Sequence, residues 1–170
     1  MANAVLERTM VQARNIDALN RTAKIAEAVP NGTPVTLEWD STGEVFKATK
    51  ATAGLEFKVG QKDYIHIATG TPLESENTDA WFLEVTKNDG NVWLVDSPVV
   101  NRDFVGETYK GADPRNFVNR ANEPLDTFKP QVGDIIKVTA EFFATAKDPA
   151  TVAGAKTVKL GADGFSAVAD

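Results

Sequence analysis

The chain has 170 residues, 42% of them hydrophobic and 25% charged, with a formal net charge of −6 and no cysteine. That composition is ordinary for one globular domain with its own core, and it excludes global disorder, a disulfide framework, a thiolate nucleophile and Cys-ligated zinc. The acidic balance gives no electrostatic reason to bind nucleic acid.

Residues 1–29 stand apart in charge, with Arg8, Arg14, Arg21 and Lys24 against Glu7, Asp17 and Glu27. The charges break up any apolar run of the length a secretory signal needs, and no stretch of the chain is apolar for long enough to cross a membrane as a helix. From Ile16 the apolar residues fall at Ile16, Leu19, Ala23 and Ala26, which is helical spacing. With its alanine content, this predicts a helix over roughly Ile16–Ala28, stopped by Pro30-Asn31-Gly32. The residues before Ile16 read as an extended arm. Across residues 1–29 the apolar side chains Leu6, Met10, Ile16 and Leu19 are too few to offset the entropy of ordering the segment, so the arm is expected to be mobile in the free monomer and ordered by a partner.

After Pro30 the period changes to two. Val35, Leu37 and Trp39 share one face of "TPVTLEW"; "EVFKAT" and "LEFKV" follow around "ATAG"; "DYIHIAT" alternates Ile65 and Ile67 with Tyr64 and His66. "WFLEVTKNDGNVWLVD" then reads as a hairpin on an Asp-Gly turn, with Trp81, Leu83 and Val85 on one face. Residues 97–131 lose the pattern. They are too long for a plain connector and too aromatic for a disordered one, so they are expected to lie on another surface. "VGDIIKVTAEFF" restores alternation, with Ile136, Val138, Ala140 and Phe142 facing in and Lys137, Thr139 and Glu141 facing out. "TVKLGADGFSAVAD" closes with one or two short strands around Gly161–Gly164. About seven to nine short strands separated by turn residues predict a mainly β fold, a single barrel or sandwich over residues 30–170 preceded by the arm and short helix of residues 1–29.

The chemical candidates are few. His66 is the sole histidine and lies out of phase with its apolar neighbours, with no nucleophile motif to serve, so it reads as a surface or structural residue. Glu74, Glu76 and Asp79 cluster in "LESENTDAW" but lack the spacing of a calcium loop and read as a solvated acidic stretch. Asp63 and Asp134 each open a strand, where a carboxylate commonly accepts loop hydrogen bonds. Asn31-Gly32-Thr33 matches a glycosylation sequon but is better explained as a turn into the first regular strand. Trp39 and Trp81, in phase with aliphatic residues, are expected in the core; Trp93, on a strand apolar on both faces, is the leading exception, being either central or covered by another chain. No catalytic, cofactor-binding or metal-ligating residue is nominated.

Three short stretches add a resemblance. Ala13–Ile16 ("ARNI"), Asn31–Val35 ("NGTPV") and Gly133–Thr139 ("GDIIKVT"), the last following a long irregular loop, resemble in order and texture the small virion proteins of tailed bacteriophages, capsid decoration (auxiliary or cement) proteins most of all. The resemblance implies a non-enzymatic structural role with no cofactor. Such a protein, made in the host cytoplasm and carried on the virion surface, binds the major capsid protein, forms a homo-oligomer there and bridges subunits to stabilise the shell. Tail-tube and head-fibre proteins share the same style. From the tryptophans, a carbohydrate-binding β module is the reading from a different class.

Overall fold

The structure, a computed structural model, describes residues 2–68, 75–97 and 113–169. The protein is mainly β. Its strands are β1 (Leu6–Met10), β2 (Asn20–Lys24), β3 (Pro34–Asp40), β4 (Val45–Lys50), β5 (Leu55–Ala68), β6 (Ser75–Asn88), β7 (Trp93–Val95), β8 (Pro124–Phe128), β9 (Ile135–Thr139), β10 (Ala155–Gly161) and β11 (Gly164–Ala169). They form two units: a six-stranded antiparallel sheet in the order β1-β9-β6-β5-β10-β11, and a closed five-stranded barrel in the order β2-β4-β3-β7-β8. Within the barrel β2 and β4 run parallel and the other pairs antiparallel.

The sheet and the barrel share a wall. Along β7, Leu94 packs with the sheet's residues Phe57, Leu83, Ile136 and Val138, while Trp93 and Val95 pack with the barrel's Val35, Ala23 and Leu125. This is why β7 is apolar on both faces: it is a central strand, covered on one side by the chain's own sheet. Trp93 is therefore buried, at 8% exposure, and of the two alternatives for its strand, central or covered by another chain, the first holds. Trp81 is buried as expected, edge-on to Phe143.

The two tryptophans are not on one hairpin. β6 pairs with β5 and β9, whereas β7 pairs with β3 and β8. Asp89-Gly90 is the point where the chain leaves the sheet for the barrel. There Gly90 crosses Gly54 so closely that a Cβ on Gly54, whose φ is +93°, would lie 2.5 Å from the Gly90 Cα. Asn88 holds the crossing: its side chain accepts from Val92 N–H at 2.9 Å and donates to the Val92 and Pro130 carbonyls. An Asp-Gly pair marks a reversal in either case. The alternation on both sides carries no record of which strand each run will pair with.

The N-terminal segment is the second correction. The helix expected over roughly Ile16–Ala28 is replaced by a 3-10 turn at Asp17–Leu19 and by β2. Ala23 and Ile25 are buried and Lys24 is exposed, so the period that governs here is two. Alanine's helix propensity amounts to a few tenths of a kcal/mol per residue, roughly, and closing the barrel against β8 and β4 overrides it. Residues before Ile16 are docked as well. Ala4, Val5, Leu6, Val11 and Ala13 are buried, and β1 pairs with β9 at the sheet edge. The arm is part of the fold, and its expected mobility in the free chain is corrected. That expectation relied on Met10 and Ile16, which are exposed, and left out the small residues and the backbone hydrogen bonds that anchor the segment.

Elsewhere the pattern holds with local changes. "LEFKV" and "DYIHIAT" are one 14-residue strand, bulged between Val59 and Lys62. β10 and β11 form the closing hairpin. In the 97–131 stretch, residues 98–112 lie outside the described residues, and the remainder is not irregular throughout: β8 completes the barrel. After β9 the chain turns through a 3-10 helix at Ala140–Phe142, so Thr139, expected outside, is fully buried, with its Oγ1 accepting from Val5 N–H. Ala140 is half-buried and Phe142 enters the core, stacked on Phe165 at 4.4 Å.

Candidate functional site

The residues singled out from sequence are not brought together. His66 is exposed, with Nδ1 3.0 Å from Asn77 Oδ1. Glu76 pairs with Arg115 and Asp79 with Lys62 at 2.7 Å, so these acids are spent on ion pairs; Glu74 lies outside the described residues. Asp63 is drawn to Lys137 at 3.4 Å. Lys137 Nζ also lies 3.2 Å from Glu7 and donates to the Tyr64 carbonyl at 3.0 Å, tying β1, β9 and β5 together across the face of the sheet. Burial works against the charge on Lys137, and the two carboxylates more than offset it, raising its pKa.

Asp134 and Asn31 perform the turn roles expected of them. Asp134 is buried, and its two carboxylate oxygens accept from Gln12 N–H at 3.1 Å and Gln131 N–H at 2.8 Å. Asn31 is buried in a polar knot: it donates to the Ser97 carbonyl and accepts from Asn119, which also donates to the Val29 carbonyl. A side chain so engaged is a turn element and not an acceptor for a glycan in the folded protein.

What sequence reasoning missed lies where the sheet edge meets the barrel. Arg8, Asn20, Arg21, Thr22, Asp96, Asp126 and Thr127 line an open cleft of ≈ 440 Å³. β1 contributes the first, β2 the next three, the end of β7 Asp96, and β8 the last two. Arg8 is fixed there: Nε donates to Asp96 Oδ2 at 2.7 Å, Nη1 donates to Asn20 Oδ1 at 3.0 Å, and the guanidinium lies 4.2 Å from the centre of the Phe128 ring. Asp126 Oδ1 accepts from Thr22 Oγ1 at 3.1 Å. Burial raises the Asp96 pKa above the usual carboxylate value; Arg8 opposes the shift and the neighbouring charge of Asp126 adds to it. The chemistry available is hydrogen bonding by a balanced set of two arginines and two aspartates.

Arg21 leads from the cleft to the barrel mouth. Its Nη1 donates to the Asn20 and Asp17 carbonyls, and its guanidinium lies 5.8 Å from the centre of the Phe46 ring. Phe46 in turn meets Trp39 edge-on at 5.1 Å. Trp39 is 54% exposed, which corrects the expectation that it is core. It does share the inward phase of Val35 and Leu37, but the strand runs out of the barrel: Val35 is fully buried, Leu37 half-buried, and Trp39 stands at the rim opposite Phe46. Phase gives the direction of a side chain and says nothing about whether a wall still faces it.

Among the described residues there is no cluster of three or more His, Cys, Asp or Glu that could hold a metal ion, and no helix long and apolar enough to cross a membrane. No protein-family model, curated protein or solved structure matches the chain.

Proposed function

We propose that this chain is a non-enzymatic structural protein of a tailed-phage virion, bound to the outside of the capsid lattice, where it stabilises the shell by bridging major capsid protein subunits. The observation that carries the reading is where the three stretches of the resemblance fall. Ala13–Ile16 forms the turns between β1 and β2, Asn31–Val35 the entry to β3, and Gly133–Thr139 the entry to and body of β9. A hydrogen bond from Gln12 N–H, one residue before the first stretch, to Asp134 anchors that turn to the third, and Gly32 N–H to the Val95 carbonyl ties the second to the shared wall. Residues that resemble another class of protein at the joints of a fold speak for a common architecture more than residues scattered on a surface. A body of this kind stabilises a lattice by mass action, because it binds the assembled shell and not its free subunits. Many modest contacts then add up, each held near its partner by the others.

The test is addition of the purified protein to phage capsids that lack their outer protein. Co-sedimentation at a fixed ratio to the major capsid protein, with a raised temperature of shell disruption, is the expected result. Incorporation into tail tubes instead, or no binding to either particle, would overturn the capsid assignment.

A further inference from the structure

We propose that the barrel mouth is a binding site for a neutral oligosaccharide, with Trp39 stacking on a sugar face and Arg21, Asp96 and Asp126 holding hydroxyl groups in the adjoining cleft. This goes beyond the structural role proposed above and does not depend on it.

Three observations converge on that ligand class. The cleft is large enough for a small molecule, within the range of roughly 300–1,000 Å³ usual for ligand pockets. Its charges balance: Arg8 and Arg21 face Asp96 and Asp126, so neither a net anion nor a net cation is favoured over a neutral ligand. Among the described residues, donors and acceptors both remain available. Asp126 uses one carboxylate oxygen on Thr22, Asp96 uses one on Arg8, and Arg21 bonds through Nη1. A ligand whose every polar group both donates and accepts matches such a set, and hydroxyls do so.

The aromatic side of the site is linked to the polar side through Arg21, which lines the cleft and lies 5.8 Å from the centre of the Phe46 ring. The Phe46 ring lies between Arg21 and Trp39 and supports the indole edge-on. An amphipathic ring at the barrel rim, joined to a polar cleft through Phe46 and Arg21, offers a flat apolar surface to the C–H face of a pyranose, while the cleft takes hydroxyls of the same oligosaccharide. Asp40, beside Trp39, is already engaged by Lys47 at 2.7 Å and by Thr42 N–H, so the strand end that carries the indole is braced. The raised pKa of Asp96 fits a carboxyl group that gains by accepting further hydrogen bonds.

The site supplies its own reporter. Trp81 and Trp93 are buried, so a ligand at the mouth changes the fluorescence of Trp39 alone. The experiment screens the intact protein on a printed array of neutral and anionic oligosaccharides, then titrates the strongest hit while following tryptophan emission and its quenching by acrylamide. Expected is binding of a neutral oligosaccharide that protects Trp39 from the quencher. Affinity should fall at least tenfold in both Trp39→Ala and Asp126→Asn, each retaining the native circular dichroism spectrum. Capsid binding by Trp39→Ala should be unchanged, which separates this site from the structural role. No binding at millimolar oligosaccharide, binding of anionic sugars only, or binding indifferent to both substitutions would overturn the proposal. Should Asp126→Asn fail to fold, Thr22→Val, at an exposed position in the same cleft, takes its place.

Discussion

The barrel and the sheet solve the problem of unpaired strand edges in opposite ways. The barrel closes on itself, so its five short strands leave no edge, and β2 performs the closure by pairing with β8 on one side and β4 on the other. The sheet stays open, and its edges are blunted locally. On β1, Arg14 donates to the Arg8 carbonyl; on β11, Ala144 N–H donates to the Phe165 carbonyl and Ala167 N–H to that of Lys147. The difference teaches that the N-terminal residues play two unequal parts. β1 is an edge that the sheet could lose, whereas β2 is a stave without which the barrel opens.

The sharpest way to break this comparison is truncation. Deleting residues 2–28 removes both strands and should abolish cooperative folding, leaving β4 and β8 as raw edges prone to aggregation. Deleting residues 2–10 removes β1 alone and should leave a cooperative but weakened fold. The buried Val5 and Leu6 would by themselves account for about 3–6 kcal/mol, at about 1.5–3 kcal/mol each. Urea denaturation monitored by circular dichroism reads both. A folded, monomeric 2–28 deletion would show that the barrel does not need its closing strand.

A smaller effect tests the joint between the two units. Asp134 is buried and accepts one hydrogen bond from the N-terminal segment and one from the turn before its own strand. Asp134→Ala strands two backbone N–H groups and should cost about 2–6 kcal/mol, at about 1–3 kcal/mol for each donor left unsatisfied. Asp134→Asn, which can keep one acceptor, should cost about half as much. Equal stability of both variants to the parent would mean that the joint is held by packing alone.

How much of this was legible beforehand follows from which interactions are local. Strand existence was readable from Val35 onward because alternation is a property of adjacent residues. So were the turn roles of Asn31 and Asp134, since Pro, Asn, Gly and Asp constrain their own backbone. Pairing was not readable. "WFLEV" and "NVWLV" look like a hairpin because the sequence cannot show that β9 and β3 will outcompete them as partners. β2 was hidden because Ala23 and Ala26 suit a helix, and the strands that flank Ala23, β4 and, about a hundred residues away in the chain, β8, are not its sequence neighbours. The cleft was hidden for the same reason. Arg8, Arg21, Asp96 and Asp126 come from separate strands, and each is unremarkable in its own neighbourhood. The exposure of Trp39 is not legible either, because period-two phase gives direction and not depth, and the barrel's rim falls between Leu37 and Trp39.

The finest expected effect concerns the cleft where the two units meet, and it has a definite sign. Asp96 carries a pKa raised above the usual carboxylate value, mainly because folding takes it out of water, with Arg8 recovering part of that cost. A carboxyl group with a higher pKa in the folded than in the unfolded state binds its proton more tightly when folded. Its stabilising contribution is fully present below the unfolded value, and it is lost as pH rises through the folded value. The groups that face it are Arg8 on β1, Asn20 and Arg21 on β2, and Asp126 on β8. Asp96→Asn removes the titration while keeping a side chain of the same shape that can still accept from Arg8. The stability of the parent relative to Asp96→Asn should therefore be greatest near pH 3.5 and decline toward neutrality, by an amount that Asp126→Asn reduces because it removes the neighbouring negative charge. Urea midpoints measured for all three proteins from about pH 3.5 to 7 give the curve. A relative stability that instead rises with pH would mean that Arg8 outweighs burial, making the pair a net brace between edge strand and barrel and not a charge the fold carries at a cost.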